Sequence, residues 1–142
     1  MPENADLLDM TRGECLRLLS KSVIGRVVYS AAAMPAAQPV GFVLDGEEIV
    51  FRVDDGTALA HATRHAIVGF EADDIDPTTS AGWWVLGVGE TYEITDPERL
   101  ADLITDHAAP WLRNDTPHTI AVPLQLLIGR RLQPAGPAGS PG

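Results

Sequence analysis

Two short apolar runs joined by one Asp-Gly pair constrain the fold of this chain most strongly. Val40 to Leu44 and Glu48 to Val53 are rich in β-branched and aromatic residues, which favour extended backbone. Asp45-Gly46 lies between the two runs, and such a pair tolerates the positive φ angles of tight turns. The pattern predicts a β-hairpin, so the fold must contain an antiparallel sheet.

Similar runs occur along most of the chain, and three helix signals interrupt them. Strands are predicted over residues 24–31, 39–44, 48–53, 66–72, 83–95, 118–122 and 126–132, with a Pro-containing break at 33–36. A capping box at Thr11 and Glu14, a cap at Thr57 and the pair Asp96-Pro97 predict helices to about residues 22, 65 and 110. Because strands and helices do not alternate, a mainly β antiparallel barrel with short peripheral helices is favoured over a doubly wound sheet.

Length and charge limit the domain count and the partners. A chain of 142 residues is the size of one domain, which we place at residues 1–132, followed by a flexible Pro- and Gly-rich tail over 133–142. Twenty acidic against ten basic residues give a net charge of −10, which is the wrong sign for nucleic acid or anionic membranes. A single cysteine, Cys15, and an acidic N-terminus without an apolar leader indicate a cytoplasmic protein.

The most informative candidate site follows the hairpin. Gly56 allows close backbone approach to an anion, Thr57 offers a hydroxyl and Ala58 begins a helix whose first amides point outward, while Arg52 supplies a planar cation. Together these residues predict a phosphate site. An alternative stays open, in which Gly56 and Thr57 form an ordinary turn and cap and Arg52 pairs with an acid such as Asp54.

Two adjacent indoles form a second candidate. Trp83 and Trp84 lie on one predicted strand, so their side chains point to opposite faces of the sheet. One can join the core while the other lines a groove for a flat ligand or faces a partner subunit. An equally acceptable interpretation makes both indoles bulky barrel and interface residues.

The remaining polar residues carry weaker hypotheses. His61 and His65 are spaced to share a helix face, but the sequence between them lacks the glutamate of a zinc helix, so no metal site is predicted. Of Arg130 and Arg131, strand alternation turns one guanidinium inward, where Glu71 or a ligand is its expected partner. We find no catalytic acid, base or nucleophile with a specific signature.

A collinear set of short stretches resembles the pyridoxamine 5′-phosphate oxidase-like family of flavin-binding split barrels. The resemblance spans about residues 7 to 132. Its stretches are Ile24-Gly25-Arg26-Val27, Pro39-Val40-Gly41-Phe42-Val43-Leu44-Asp45-Gly46, Ile49-Val50-Phe51-Arg52, Gly56-Thr57-Ala58-Leu59, Phe70-Glu71-Ala72-Asp73, Gly82-Trp83-Trp84-Val85 and Gly129-Arg130-Arg131-Leu132. It implies a Greek-key-like split β-barrel.

The resemblance also implies a function. Family members are typically homodimers that bind FMN, or a deazaflavin in some branches, at the subunit interface and use it for redox chemistry on a small acceptor. By position, the implied phosphate contacts are Arg52, Gly56, Thr57 and Ala58, and the residues beside the cofactor or the dimer seam are Trp83, Trp84 and Val85. A flavin-dependent oxidoreductase is therefore expected.

A second interpretation stays open because the chain departs from the family pattern at two positions. The family often has lysine where this chain has Ala58, and serine where it has Trp84. Neutral Ala58 removes a charged phosphate contact, and a bulky indole fills space in the groove. The alternative is a dimeric, non-catalytic binding module on the same barrel, with a lost or altered flavin site.

Overall fold

Ten strands and three short helices build the protein in a computed structural model, which describes residues 5–134. The strands are β1 (Ala5–Asp9), β2 (Ile24–Ala31), β3 (Met34–Gly41), β4 (Val43–Asp45), β5 (Glu48–Val53), β6 (Ile67–Ile75), β7 (Gly82–Glu90), β8 (Tyr92–Glu93), β9 (His118–Pro123) and β10 (Leu126–Pro134). The helices are α1 (Arg12–Lys21), α2 (Ala58–Ala62) and α3 (Pro97–Asp106), with a 3₁₀ turn at Pro110–Arg113. None of these helices has the length and apolar character needed to cross a bilayer.

The strands form two antiparallel sheets. One sheet has six strands in the order β1-β10-β7-β6-β2-β3, and the other has four in the order β4-β5-β9-β8. A mainly β core enclosed between two such sheets is a split barrel, and the fold class expected from the sequence is confirmed.

Several boundaries differ from the expectation for physical reasons. The break predicted at residues 33–36 is shorter and lies earlier, because the hairpin turns at Ala32 and Ala33, with φ of 51° and 62°, and residues 34–36 belong to β3. Pro35 fits there because β3 is an edge strand, where a missing N–H costs no ladder bond. The predicted strand 83–95 divides at Thr91 into β7 and β8, which belong to different sheets.

The chain ends also differ from the expectation. The N-terminal strand β1 was not predicted, and it pairs with β10 from Ala5 to Asp9. This pairing extends β10 to Pro134, so Gln133 and Pro134 belong to a strand rather than to the predicted tail. The rest of that tail, 135–142, lies outside the described residues.

The main core fills the space between the two sheets. Phe51 and Ile49 of β5, Val27 of β2 and Val85 of β7 are all at most 1% exposed in it. Phe42 and Phe70 meet edge to face with ring centroids 4.6 Å apart, a geometry that aromatic pairs favour. The outer side of the four-stranded sheet buries a second cluster under α3 and the 3₁₀ turn, which includes Val50, Leu103 and Leu112.

Glycines allow close packing within the six-stranded sheet and between the two sheets. A Cβ on Gly25 would overlap the Phe70 ring, and one on Gly87 would overlap the Leu124 side chain. At Gly89 it would overlap the backbone carbonyl of Pro123, which cannot rotate away. The point where β7 passes into the other sheet therefore requires glycine.

Helix α3 is held on its sheet by one arginine. The Arg99 guanidinium donates to Asp45 at 3.1 Å, to Glu48 at 2.8 Å and to the Tyr92 hydroxyl at 2.6 Å. These acceptors belong to β4, β5 and β8, so one side chain ties the helix to three strands.

We predict that Gly89→Ala lowers the free energy of unfolding by about 3 kcal/mol or more, because the new methyl group must displace the Pro123 backbone. Urea unfolding followed by circular dichroism measures this change. In the control Gly13→Ala, in α1, the nearest atom to the new Cβ is 4.0 Å away, so helix propensity should raise stability by about 0.5 to 1 kcal/mol. Equal effects of the two substitutions would contradict the prediction.

Candidate functional site

The turn after β5 is open to solvent. Gly56 has φ of +75°, and nothing lies within 4 Å of where its Cβ would be. The Thr57 hydroxyl caps α2 by accepting the Ala60 amide at 3.0 Å, and it donates to the Asp54 carbonyl at 3.0 Å. Residues 54–58 are all exposed. The turn therefore has the free surface that an anion needs.

Arg52 does not join this turn. Its side chain lies on the α3 side of the sheet, and its Nη1 donates to the carbonyls of Leu112 and Asn114, both at 2.8 Å. Its Nη2 donates to the Thr116 carbonyl. The guanidinium thus binds the backbone of the segment before β9 and does not pair with an acid such as Asp54. This geometry separates the Arg52 guanidinium from Thr57. Binding of a phosphate by Arg52 therefore stays a prediction that the position of its side chain does not support.

The two indoles lie on opposite faces, as the strand pattern predicts. Trp83 is half-buried and packs against the core between the sheets, whereas Trp84 lies on the outward face of the six-stranded sheet. The Trp84 Nε1 donates to Glu71 Oε2 at 2.8 Å. Val85, 1% exposed, packs in the core, so only its backbone can face a ligand.

Trp84 belongs to a polar network on the outward face. The Arg26 Nε lies 2.9 Å from Glu71 Oε1, and its Nη2 lies 2.7 Å from Asp73 Oδ2. Partial burial alone would raise the Glu71 pKa, but hydrogen bonds from Trp84 and Arg26 outweigh burial and lower it. The carboxylate therefore stays charged and fixes the indole.

The partners of Arg130 and Arg131 differ from the expectation. Glu71 is taken by Arg26 and Trp84, so it does not pair with either arginine. Arg130 pairs with Asp9 at 2.8 Å, and Arg131 lies 3.5 Å from Glu14 of α1. The unpredicted strand β1 thus supplies the acid for Arg130.

Beside this network, the outward face of the six-stranded sheet is apolar. Ile67 is 72% exposed and Val28 is 38% exposed. Strand register places four further residues on the same face, all exposed or partly exposed: Leu86, Val88, Leu126 and Ile128. No described element covers this surface, which we call the outward apolar face.

A histidine bridges two acids at the other end of the four-stranded sheet. His118 Nδ1 lies 3.0 Å from Glu93 Oε2, and its Nε2 contacts Asp55 Oδ1. Both ring nitrogens can donate only in the imidazolium form. Hydrogen bonds to Glu93 and Asp55 accordingly raise the His118 pKa. Because Asp55 lies in the turn after β5, the imidazolium ties that turn to β8 and β9.

The other histidine pair does not form as predicted. Helix α2 ends at Ala62, and His65 has φ of +46°, so His61 and His65 do not share a helix face. Within residues 5–134, no group of three or more His, Cys, Asp or Glu side chains is arranged to hold a metal ion.

Comparison with known proteins places the chain in a family. The family model described as pyridoxamine 5′-phosphate oxidase matches residues 11–131. The chain therefore belongs to the pyridoxamine 5′-phosphate oxidase family, as its resemblance indicated.

Individual relatives cover nearly the whole chain. An uncharacterized protein of Mycobacterium tuberculosis, Rv0080, is 30% identical over 137 residues, which cover 92% of this chain and 90% of the relative. The FAD binding protein from Mycobacterium smegmatis is 29% identical, with a TM-score of 0.76, and the match covers 88% of this chain and 98% of that one. A FAD-binding protein from Mesorhizobium loti shares the fold at 16% identity, with a TM-score of 0.74 and coverage of 91% and 98%.

The His118 bridge predicts a pH-dependent stability. Its folded-state pKa is raised above the ordinary 6.5, so its stabilisation is complete below about pH 6.5 and is lost as pH rises through the folded-state pKa. We expect Asp55→Asn to lower the His118 pKa, measured by NMR titration of the imidazole, and to flatten the pH dependence of urea unfolding in this range.

The neighbouring Asp54→Asn is the matched control, since the Asp54 carboxylate has no contact with His118. This variant should titrate like the unmodified chain. An unchanged His118 pKa in Asp55→Asn would contradict the bridge.

Proposed function

We propose that this protein is a flavin-binding split-barrel protein that works as an FMN- or FAD-dependent oxidoreductase on a small acceptor. The observation that carries the proposal is the match to the FAD binding protein from Mycobacterium smegmatis over 88% of this chain and 98% of that one. Family membership and the exposed turn after β5 support it. FMN was expected from the sequence, and the mycobacterial relative adds FAD; a deazaflavin remains the alternative flavin.

The turn after β5 suits a phosphate in its shape and only partly in its charge. Gly56 leaves open space for a close approach, and the exposed positions of Thr57 and Ala58 border that space. Asp54 and Asp55 add negative charge, and the His118 imidazolium offsets it only in part because it also pairs with Glu93. We therefore assign the phosphate contacts to Gly56, Thr57 and Ala58, and give Arg52 the task of holding the segment 112–116.

The rest of a flavin needs more surface than one chain encloses. Two enclosed cavities of the described residues measure about 80 and 220 Å³, below the usual 300 to 1,000 Å³ of cofactor and drug sites, and larger hollows of about 360, 520 and 570 Å³ are open to solvent. The outward apolar face, with Trp84 fixed beside it, fits a second copy of the chain. We propose a homodimer with the flavin between the two copies, near Trp83, Trp84 and the backbone of Val85.

The proposed chemistry belongs to the isoalloxazine ring, which supplies hydride or electron transfer when it is bound. The chain's own residues bind the phosphate, orient the ring and exclude water. A cytoplasmic location, with no nucleic-acid or membrane partner, stays a prediction from the sequence.

We predict that Ala58→Lys tightens FMN and FAD binding by about tenfold, because an ammonium at this position adds a charge-assisted contact to the phosphate. Equilibrium dialysis and quenching of flavin fluorescence measure the affinity. Ala58 is exposed at the start of α2, so lysine fits without repacking. Ala101→Lys, at an exposed position of α3, is the matched control for added charge, and its affinity should equal that of the unmodified chain.

Two results would argue against the flavin site. Equal gains in Ala58→Lys and Ala101→Lys would remove the turn as the phosphate site. An absence of FMN, FAD and deazaflavin binding in the unmodified chain and in Ala58→Lys would favour the non-catalytic dimeric module. The neutral Ala58 and the use of Arg52 to hold the segment 112–116 also suit that module.

The dimer has its own test. In the unmodified chain, light scattering should give twice the 15.2 kDa mass of one chain. Val28→Lys places a charge on the outward apolar face and should shift the mass to one chain, because burial of an unpaired ammonium is costly. Ala101→Lys should remain dimeric. A monomeric unmodified chain at micromolar concentration would overturn the dimer.

A further inference from the structure

The cavity beside His118 has an apolar floor and fixed walls. It measures about 220 Å³ and lies between β5, β8, β9 and the C-terminal end of α2. Its floor is formed by Val53, Ala60 and Ile120, each at most 8% exposed. An apolar cavity of about 150 Å³ accommodates benzene, so this volume admits a six-membered ring with one small substituent.

Hydrogen bonds hold the wall made by the end of α2. The Thr63 hydroxyl donates to the Leu59 carbonyl at 2.8 Å, and the Thr63 carbonyl accepts from the Thr91 hydroxyl at 2.6 Å. The Thr91 hydroxyl oxygen accepts the Ala66 amide at 3.0 Å. The hydroxyl and the carbonyl of Thr63 therefore have hydrogen-bond partners without a ligand. The cavity is formed in advance, which lowers the entropic cost of binding.

The rim of the cavity carries one cation with no acid beside it. The His118 imidazolium carries one positive charge between two carboxylates, those of Glu93 and Asp55. Arg64 and His65 are exposed at the same rim, and neither forms an ion pair within residues 5–134. A guanidinium that is free of ion-pair contacts and borders an apolar floor favours a ligand with a compact apolar body and one anionic group.

The backbone at this rim is unusual. His65 adopts φ of +46° although it is not glycine, a conformation that costs free energy and is concentrated at functional positions. This turn directs residues 64 and 65 to the cavity mouth, because α2 has ended at Ala62. Glu93 also lines the cavity, so a ligand with a second negative charge is disfavoured.

We propose that this cavity is a binding site for small organic monocarboxylates, with an aromatic or branched apolar body on Val53, Ala60 and Ile120 and the carboxylate on Arg64. The site is distinct from the proposed phosphate turn, and it does not depend on flavin binding.

Titration of the full chain with benzoate tests the site. Benzoate should bind with a dissociation constant of about 1 mM or tighter, as expected for nine non-hydrogen atoms. In NMR spectra, the amide signals of Ala60, Thr63 and Ile120 should shift together. Benzamide, the neutral isostere, should bind about tenfold more weakly because it lacks the charge-assisted contact.

Arg64→Gln should remove the preference for benzoate over benzamide. Arg17→Gln, an exposed arginine of α1 without an ion pair in the described part of the chain, should keep it. Three results would overturn the proposal: no saturable shifts with benzoate, equal affinity for benzoate and benzamide in the unmodified chain, or a preference that survives in Arg64→Gln. Each result can be obtained whether or not flavin binds.

Discussion

Close packing at glycine positions, both within the six-stranded sheet and between the two sheets, is the constraint on which the rest of this fold depends. Gly25 admits the Phe70 ring, and Gly89 admits the Pro123 carbonyl where β7 passes into the second sheet. A side chain at Gly89 would separate the sheets, and one at Gly25 would displace the Phe70 ring from its contact with Phe42. The path of the chain at this point also places Thr91 against the end of α2, which shapes the cavity beside His118.

Electrostatic contacts then decide which surfaces are free for binding. Arg52 and Arg99, both prominent cations, are used to hold the 112–116 segment and α3. Arg26 is used to fix Glu71 and, through it, Trp84. In a chain of net charge −10, this leaves few cations for anionic ligands, and Arg64 is one without an acidic partner in the described residues.

Local chemistry made part of this structure predictable. The Asp45-Gly46 turn, the Thr11–Glu14 capping box and the Asp96-Pro97 helix start each depend on residues within a few positions of one another, and each forms as expected. The opposite faces of Trp83 and Trp84 follow from strand geometry alone. The split barrel was predicted from the family resemblance, because the order of many short stretches carries information that no single motif holds.

The contacts that the sequence did not reveal join residues that are far apart in the chain. The acceptors of Arg52 are backbone carbonyls, which every residue has, so no residue type signals them. Asp55 and Glu93 lie 63 and 25 residues from His118, and only the folded sheets bring them together. Ala32 and Ala33 form a hairpin turn without the glycine or asparagine that normally marks one.

The imidazole bridge has a thermodynamic consequence. Protonation of one ring lets its two N–H groups pair with a carboxylate of an exposed loop and a carboxylate at the mouth of a neighbouring cavity. A ligand that binds at either place can change the proton affinity of His118. By linkage, protonation of His118 must then change the affinity for that ligand by the same factor. Ligands at the two adjacent surfaces would then change each other's affinity through protonation of His118, without any movement of the barrel.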